Sequence, residues 1–250
     1  MSKRFDTNDY EFNLRSKRSV LILHGFSSTT YEIKELAIFL GNNGYHTIAK
    51  NLPGHGTTAE NCNKIKYHDW LYFVKEEIAK LSSQSEKTYV VGCSMGAVLA
   101  LYGASIFPLN GCIVGGTVLN FNNPFTINYL IPLFSRIIKK RNKKSRHPES
   151  LKNKIKFYGY EEYPLIALNE MRKLNQFVKK KLSKITCPSL IIHSTADRMS
   201  ILENVHIVFD SINSSIKEKM FIDRAHHNLF DDNQDQKIIF NKILNFLNNN

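Results

Sequence analysis

The sequence predicts an α/β fold, with a mostly parallel central sheet that is flanked by helices. Short apolar segments bounded by turn residues alternate along the chain with segments whose apolar residues recur at helical spacing. The apolar segments are nearly continuous, which is typical of parallel strands buried on both faces. The chain has 250 residues, enough to bury one sizeable core.

Six apolar segments are predicted to be the strands of this sheet. They are Val20–His24, Tyr45–Ala49, Thr88–Gly92, Cys112–Gly115, Leu190–His193 and Lys219–Ile222.

The helices between these strands are predicted from their apolar spacing. The first has Ile33, Leu36, Ala37 and Leu40 on one face, with Thr30 as its predicted N-cap and Gly44 as its left-handed end. Further helices are predicted over Trp70–Leu81, directly after Ser94, over Val205–Ile212 and at the C-terminus from Ile239 to Leu247.

One region interrupts the alternation of strands and helices. Residues 121–181 contain four prolines, a helical stretch over Pro164–Val178 and no convincing strand. We therefore predict a small helical cap at 121–181, inserted into a core made of residues 1–120 and 182–250. A cap in this position lies above the carboxyl ends of the strands, where α/β proteins bind ligands.

Composition limits the classes of protein that need to be considered. The four cysteines are widely spaced, without the pairing of a zinc site or a secreted disulfide framework, and there is no His-Glu-x-x-His motif. We expect neither a metal nor a cofactor. The first residues are polar and no apolar run is long enough for a membrane span, so a cytoplasmic location is the expectation.

The net charge of +12 is concentrated in one segment of the cap. Arg136–Lys156 contains ten Lys or Arg residues and a single acid, Glu149. Such a run indicates either an ordinary solvated surface or peripheral contact with an anionic membrane. It lacks interleaved aromatic residues and nucleic-acid motifs, so we expect no nucleic-acid partner. No oligomeric state is predicted.

The most informative motif is Gly92-Cys93-Ser94-Met95-Gly96, between a predicted strand and a predicted helix. A sharp strand-to-helix turn projects a serine from the fold as a nucleophile, and glycines two residues away on each side relieve crowding. Acyl transfer also needs two donors for the oxyanion. The N–H of Met95 is one candidate, and the N–H of Phe26, after the first strand, is the other.

A serine nucleophile needs a histidine base and an acid that holds the base. In the chain order Ser, Asp, His, the acid candidate is Asp197, in the loop after the strand Leu190–His193. Asp223 and Asp232 are competing acids; Asp223 is too local to orient the base, and Asp232 is predicted to cap the final helix.

Two adjacent histidines, His226 and His227, follow the last strand and compete for the role of base. We favour His227, because Leu229 and Asp232 after it suit a packed and capped turn. His226 stays the alternative. The acyl pocket is predicted to be lined by Phe26, Phe121, Phe125, Ile127 and Leu130.

These motifs resemble the α/β-hydrolase superfamily, and more narrowly the small bacterial carboxylesterases and monoacylglycerol lipases of the thermostable Bacillus type. The similarity covers nearly the whole chain. It includes His24-Gly25-Phe26-Ser27, Pro53-Gly54-His55-Gly56-Thr57, the Ser94 motif, Asp197 and His227. The resemblance implies a triad of Ser94, Asp197 and His227, with oxyanion donors at Phe26 and Met95.

The expected function is hydrolysis of carboxylic esters, either short- to medium-chain acyl esters or monoacylglycerols, through an acyl-enzyme. An acyltransferase or thioesterase would use the same residues. A third hypothesis is a non-catalytic protein of this fold that binds an anionic surface through its basic cap.

Overall fold

The computed structural model describes residues 4–146, 158–231 and 233–250. The strands are β1 (Tyr10–Phe12), β2 (Arg18–Leu23), β3 (His46–Ala49), β4 (Lys87–Cys93), β5 (Gly111–Gly115), β6 (Lys140–Asn142), β7 (Glu162–Pro164), β8 (Ser189–Ser194) and β9 (Lys217–Ile222). The α-helices are α1 (Lys34–Asn42), α2 (Ala59–Cys62), α3 (Tyr67–Gln84), α4 (Met95–Ile106), α5 (Ile131–Phe134), α6 (Leu165–Lys179), α7 (Glu203–Ser211) and α8 (Gln236–Asn249).

Seven strands form one sheet in the order β1-β3-β2-β4-β5-β8-β9. All neighbouring pairs are parallel except β1 with β3, in which Tyr10 lies opposite Ala49. The six predicted strands are confirmed, with bounds that shift by one or two residues. The edge strand β1 was not predicted. Because parallel strands end at the same edge of a sheet, the loops after β2, β4, β8 and β9 meet there.

Apolar side chains cover both faces of the sheet, because successive residues of a strand point to opposite sides. Val20 and Ile22 of β2 belong to one buried cluster, which includes α1 and α8. Leu21 and Leu23 belong to the other, which includes α3, α4 and α6. This burial on both faces explains the continuous apolar runs of the central strands.

The start of the first helix differs from the prediction. Thr29, and not Thr30, caps a 3₁₀ turn by accepting a hydrogen bond from the N–H of Tyr31, and α1 follows that turn. The Thr30 hydroxyl instead donates to the carbonyl of Asn8, in the N-terminal segment. Gly44 adopts the predicted left-handed conformation, with φ of +91°.

The described part of residues 121–181 lies between β5 and β8 in the chain. A π-helical turn, Thr126–Leu130, leads into α5, and α6 packs against α3, α4 and α5. The segment also contains a feature that was not predicted: β6 and β7 pair antiparallel as a small second sheet. The boundaries at 121 and 181 stay predictions. No helix within the described ranges is long and apolar enough to cross a membrane.

Candidate active site

Ser94 lies at the sharp turn between β4 and α4. Its backbone has φ of 57° and ψ of −116°, an unusual conformation for a residue other than glycine. The flanking glycines permit this turn. A Cβ atom added at Gly92 would lie 2.1 Å from the carbonyl oxygen of Gly96, and one added at Gly96 would lie 2.1 Å from that of Leu23. Both distances are far inside van der Waals contact, so only glycine fits at either position.

A chain of hydrogen bonds joins Ser94, His227 and Asp197. Ser94 Oγ lies 2.8 Å from His227 Nε2, and His227 Nδ1 lies 2.7 Å from Asp197 Oδ2. The other carboxylate oxygen of Asp197 accepts from the N–H groups of Met199 and Ser200, at 2.7 and 3.0 Å. Nδ1 of His227 therefore donates to the carboxylate, and Nε2 is left to accept the proton of the serine hydroxyl.

The surroundings of the two ionisable groups favour this proton arrangement. Burial acts to raise the pKa of Asp197, but the hydrogen bonds from His227 and from two backbone N–H groups outweigh it and lower that pKa. Burial acts to lower the pKa of His227, but Asp197, with help from the charge of Glu32, outweighs it and raises that pKa. The imidazole is thus more basic than an isolated one.

His226 lines the same cavity as Ser94, but the two hydrogen bonds of the chain are made by His227 and Asp197 and not by His226 or Asp223. His226 is exposed, whereas the side chain of His227 is mostly buried. The Asp223 side chain is 82% exposed and lies beside Arg224. Asp232, predicted as the cap of the final helix, falls outside the described residues, and Asp235 directly precedes that helix.

The loop after β2 is held by buried polar side chains on both sides of Phe26. Gly25 N–H donates to Glu32 Oε2 at 2.7 Å, and Ser27 N–H donates to His55 Nε2 at 3.1 Å. Phe26 lies between these two anchors. Met95 is the first residue of α4, where backbone N–H groups have no partner within the helix. Both positions suit donors to an oxyanion.

His24 attaches the same loop to the segment after β3. Its Nε2 accepts from Leu52 N–H at 3.0 Å, and its Nδ1 lies 2.8 Å from the carbonyl oxygen of Gly25. Burial lowers the pKa of His24 to about 4, so the ring is neutral at neutral pH. His24 therefore holds the loop through hydrogen bonds at both ring nitrogens.

A cavity of about 540 Å³ contains Ser94 and His227 in its wall. Of the predicted pocket residues, Phe26, Phe121 and Ile127 line this cavity. Phe125 and Leu130 do not; they are 63% and 39% exposed. The reason is helical periodicity, since Ile127 and Ile131 face inward and Phe125 and Leu130 lie on other faces of the same turns. Further apolar lining comes from Val118, Leu165, Leu168 and Met171.

The cavity also has a basic side that was not predicted. Lys143, from the cap, is buried and donates from Nζ to the carbonyl oxygen of Tyr158 at 3.0 Å. Burial lowers the pKa of Lys143 to about 7. Arg4 lines the same cavity. Neither residue carries a motif, and Lys143 is one of many lysines in the basic run, so the sequence held no signal for it.

Most of the chain matches a known protein family. A family model described as "Serine aminopeptidase, S33" matches residues 15–234. The thermostable monoacylglycerol lipase of Bacillus sp. strain H-257 is 31% identical over 91% of this chain and 89% of the relative. The carboxylesterase of Bacillus subtilis strain 168 is 24% identical, over 84% of each chain.

Solved structures agree on the fold. A structure reported for two metagenome-derived lipolytic enzymes, LipS and LipT, has a TM-score of 0.87 at 22% identity and covers 98% of both chains. The monoacylglycerol lipase of Paleococcus ferrophilus has a TM-score of 0.77 at 18% identity, covering 96% of this chain and 97% of that one. The predicted α/β-hydrolase fold and the resemblance to the Bacillus enzymes are confirmed.

Proposed function

Since the chain belongs to the serine aminopeptidase S33 family, we propose that it is a serine esterase that cleaves carboxylic esters through Ser94, His227 and Asp197. Its relatives carry the names lipase and carboxylesterase, which supports an ester-hydrolysing α/β-hydrolase. The observation that carries the proposal is the hydrogen-bonded chain from Ser94 Oγ through His227 to Asp197, at 2.8 and 2.7 Å.

In the proposed reaction, Ser94 Oγ attacks the ester carbonyl carbon while its proton passes to His227 Nε2. The N–H groups of Phe26 and Met95 stabilise the negative oxygen of the tetrahedral intermediate. The intermediate expels the alcohol, which takes the proton from His227 and leaves an acyl group on Ser94. Water then attacks the acyl-enzyme and gives a proton to His227, and this proton returns to Ser94 as the acid leaves.

The cavity supports short- to medium-chain acyl esters or monoacylglycerols as substrates. Its volume is within the usual range for small-molecule sites, and most of its lining is apolar. Val118, Phe121, Ile127 and Leu168 would surround the acyl chain. A series of p-nitrophenyl esters of increasing chain length tests this part of the proposal, and a sharp preference for very long chains would contradict it.

The nucleophile is tested by replacing Ser94 with alanine and measuring hydrolysis of p-nitrophenyl butyrate. We expect kcat to fall by roughly 10⁴-fold or more, since the residues of a triad act as a unit. A fluorophosphonate should label the wild type but not Ser94→Ala. Ser83→Ala is the matched control, because Ser83 is an exposed serine on α3. Esterase activity retained in Ser94→Ala would rule out the proposal.

Two further arms of the assay separate the alternatives. His227→Ala should abolish turnover, whereas His226→Ala should leave most of it; the reverse result would exchange their roles. Adding a primary alcohol tests for acyl transfer, since a transferase would form the new ester faster than the free acid. Absence of both labelling and turnover would favour a non-catalytic protein.

We also propose peripheral contact with anionic membranes through the cap. Large apolar side chains that are exposed to solvent lie just before the basic segment and at its start: Phe125, Tyr129, Leu133, Phe134, Ile137 and Ile138. Apolar side chains flanked by basic ones suit the surface of an anionic bilayer. The structure describes only part of Arg136–Lys156.

Sedimentation with vesicles tests the membrane contact. Binding to phosphatidylglycerol vesicles should exceed binding to phosphatidylcholine vesicles and should weaken in high salt. Ile137→Ser should reduce it, whereas Ile238→Ser, which alters an equally large exposed side chain on α8, should not. Equal binding to both lipids would exclude the electrostatic contact.

A further inference from the structure

Glu32 is a buried carboxylate next to the candidate active site for which the proposed reaction has no role. The residue is 1% exposed and lies in the wall of the same cavity as Ser94 and His227. It occupies the last position of the 3₁₀ turn Thr30–Glu32, just after the loop that follows β2. A buried charged group is costly unless hydrogen bonds compensate for lost water, so its partners are informative.

The two oxygens of Glu32 bind two different loops. Oε2 accepts from Gly25 N–H at 2.7 Å, and Oε1 accepts from Asn228 Nδ2 at 2.6 Å. Gly25 directly precedes Phe26, the proposed oxyanion donor, and Asn228 directly follows His227, the proposed base. The Glu32 carboxylate therefore links the loop that contains Phe26 to the loop that contains His227.

Both contacts require acceptors on Glu32. A peptide N–H and an amide NH₂ group only donate, so the two carboxylate oxygens match them without a bound proton. The space around the junction is tight as well. A Cβ added at Gly25 would lie 3.1 Å from Ser94 Cβ and 3.2 Å from Glu32 Oε2. A side chain at Gly25 would therefore be crowded between Ser94 and the Glu32 carboxylate.

We propose that Glu32 is a positioning residue: it holds the Phe26 N–H and the His227 ring in register with Ser94, and its negative charge stabilises the imidazolium that forms during acyl transfer. The proposal rests on the esterase function proposed above. Asp197 binds Nδ1 of His227 directly, whereas Glu32 acts on the ring only through space and through Asn228.

The charge of Glu32 makes the proposal measurable through pH. Burial raises the pKa of Glu32, while the Gly25 N–H and the charge of His227 act against that rise. The charge of Glu32 in turn raises the pKa of His227. Among the described residues, the other ionisable groups that act on the pair or line the same cavity are Asp197, His193, Cys93, Lys143, Tyr158, Arg4 and His226. They are unchanged in the variants below, so a shifted profile reports on Glu32.

The first variant is Glu32→Gln, which keeps the shape and removes the charge. A glutamine presents one acceptor and one NH₂ donor, so with the Asn228 amide oriented as in the structure either Gly25 N–H or Asn228 Nδ2 faces another donor. We expect kcat to fall about 10- to 100-fold, less than for complete loss of an oxyanion donor, with a small change in KM. The acid limb of the kcat/KM profile should move to lower pH, because His227 loses a neighbouring anion.

A second substitution, N228D, should restore the activity and the pH profile that Glu32→Gln changes. In the double variant E32Q/N228D, the carboxylate at 228 accepts from the NH₂ group of Gln and returns a negative charge to the neighbourhood of His227. We expect most of kcat and the wild-type acid limb to recover. N228D alone places two carboxylates together and should lower kcat, so the two substitutions should be strongly non-additive.

Glu35→Gln is the matched control, since Glu35 is an exposed glutamate three residues further on and should leave kcat and the profile unchanged. Asn228→Ala removes one arm of the junction from a partly exposed position and should lower kcat even if Glu32→Gln does not fold. Wild-type kcat and acid limb in E32Q or in N228A would overturn the proposal. So would a loss in E32Q with an unmoved acid limb and no recovery in the double variant, which would leave only a structural role.

The proposed function fails independently of this result. If Ser94→Ala keeps its activity or wild type resists fluorophosphonate, the esterase assignment is wrong whatever Glu32 does. If Ser94 is labelled and required, the Glu32 variants decide the positioning role alone.

Discussion

The hydrogen bonds of His24 predict that the protein loses stability in mild acid. The ring accepts from Leu52 N–H at Nε2, which requires an unprotonated nitrogen, and contacts the Gly25 carbonyl at Nδ1. Protonation would place a donor against the Leu52 N–H and a charge in a fully buried site. Burial accordingly lowers the pKa of His24 to about 4 from the ordinary value of 6.5.

The sign and size of the effect follow from linkage. Because the folded pKa lies below the unfolded one, the unfolded chain takes up the proton first as pH falls. The contribution of His24 is complete above pH 6.5 and is lost as pH falls from 6.5 toward 4. Between pH 7 and pH 5, the two pKa values correspond to a loss of about 2 kcal/mol in the free energy of unfolding.

Urea unfolding at pH 7 and pH 5 measures this loss in the wild type and in His24→Gln. The glutamine oxygen can accept from Leu52 N–H, and the side chain does not titrate. The wild type should therefore lose about 2 kcal/mol more than the variant between the two pH values. Contributions from carboxylates are common to both proteins and cancel. The His55 ring lies 5.0 Å from that of His24, whose charge adds to burial in lowering the pKa of His55, so this coupling is part of the measured difference.

His206→Gln is the control, since it removes an exposed ring from α7 and should leave the wild-type pH dependence intact. The absolute stability of His24→Gln does not matter, because only the difference between the two pH values is compared. If His24→Gln loses as much stability in acid as the wild type does, the reasoning about the buried ring is refuted.

Three further outcomes are expected. Asp197→Asn should lower kcat by about 10⁴-fold in the ester assay, because an amide would hold His227 in the wrong tautomer; a tenfold effect would contradict the triad. Gly96→Ala should abolish soluble expression or strongly lower the melting temperature, because its methyl group would overlap the Leu23 carbonyl at 2.1 Å. Burial lowers the pKa of Lys143 to about 7, so the folded protein should gain stability as pH rises from 7 to 10, and melting curves should show no such gain in Lys143→Met.

The parts of the fold that were predicted are those with a strong local signal. The central strands are continuous apolar runs, and the turn at Ser94 has glycines that no other residue can replace. Strand β1 has only three residues, partly exposed, and exists because Phe12 pairs with Thr47 of β3. A contact across more than thirty residues leaves no pattern in so short a segment.

The cap was predicted less completely for a related reason. Its apolar residues are numerous, and composition alone does not show which of them face the cavity. Ile127 and Ile131 turn inward because the π-helical turn and α5 pack toward α6, while Leu130 and Phe125 point outward. The pairing of β6 with β7 also joins residues about twenty positions apart, separated by a stretch that the structure describes only in part.

The role proposed for Glu32 could not be predicted from a sequence motif. It lies beside Ile33, Lys34 and Glu35, in a stretch where a glutamate is typical of a solvated helix face. Its carboxylate is hydrogen-bonded by two partners: Gly25, seven residues away in the sequence, and Asn228, 196 residues away. The nucleophile of a triad is recognisable in sequence because it must lie in a strained turn, and such a turn requires glycines at fixed positions around it. A carboxylate that joins two loops needs only their proximity in space, so its role becomes visible when the strand ends are brought together.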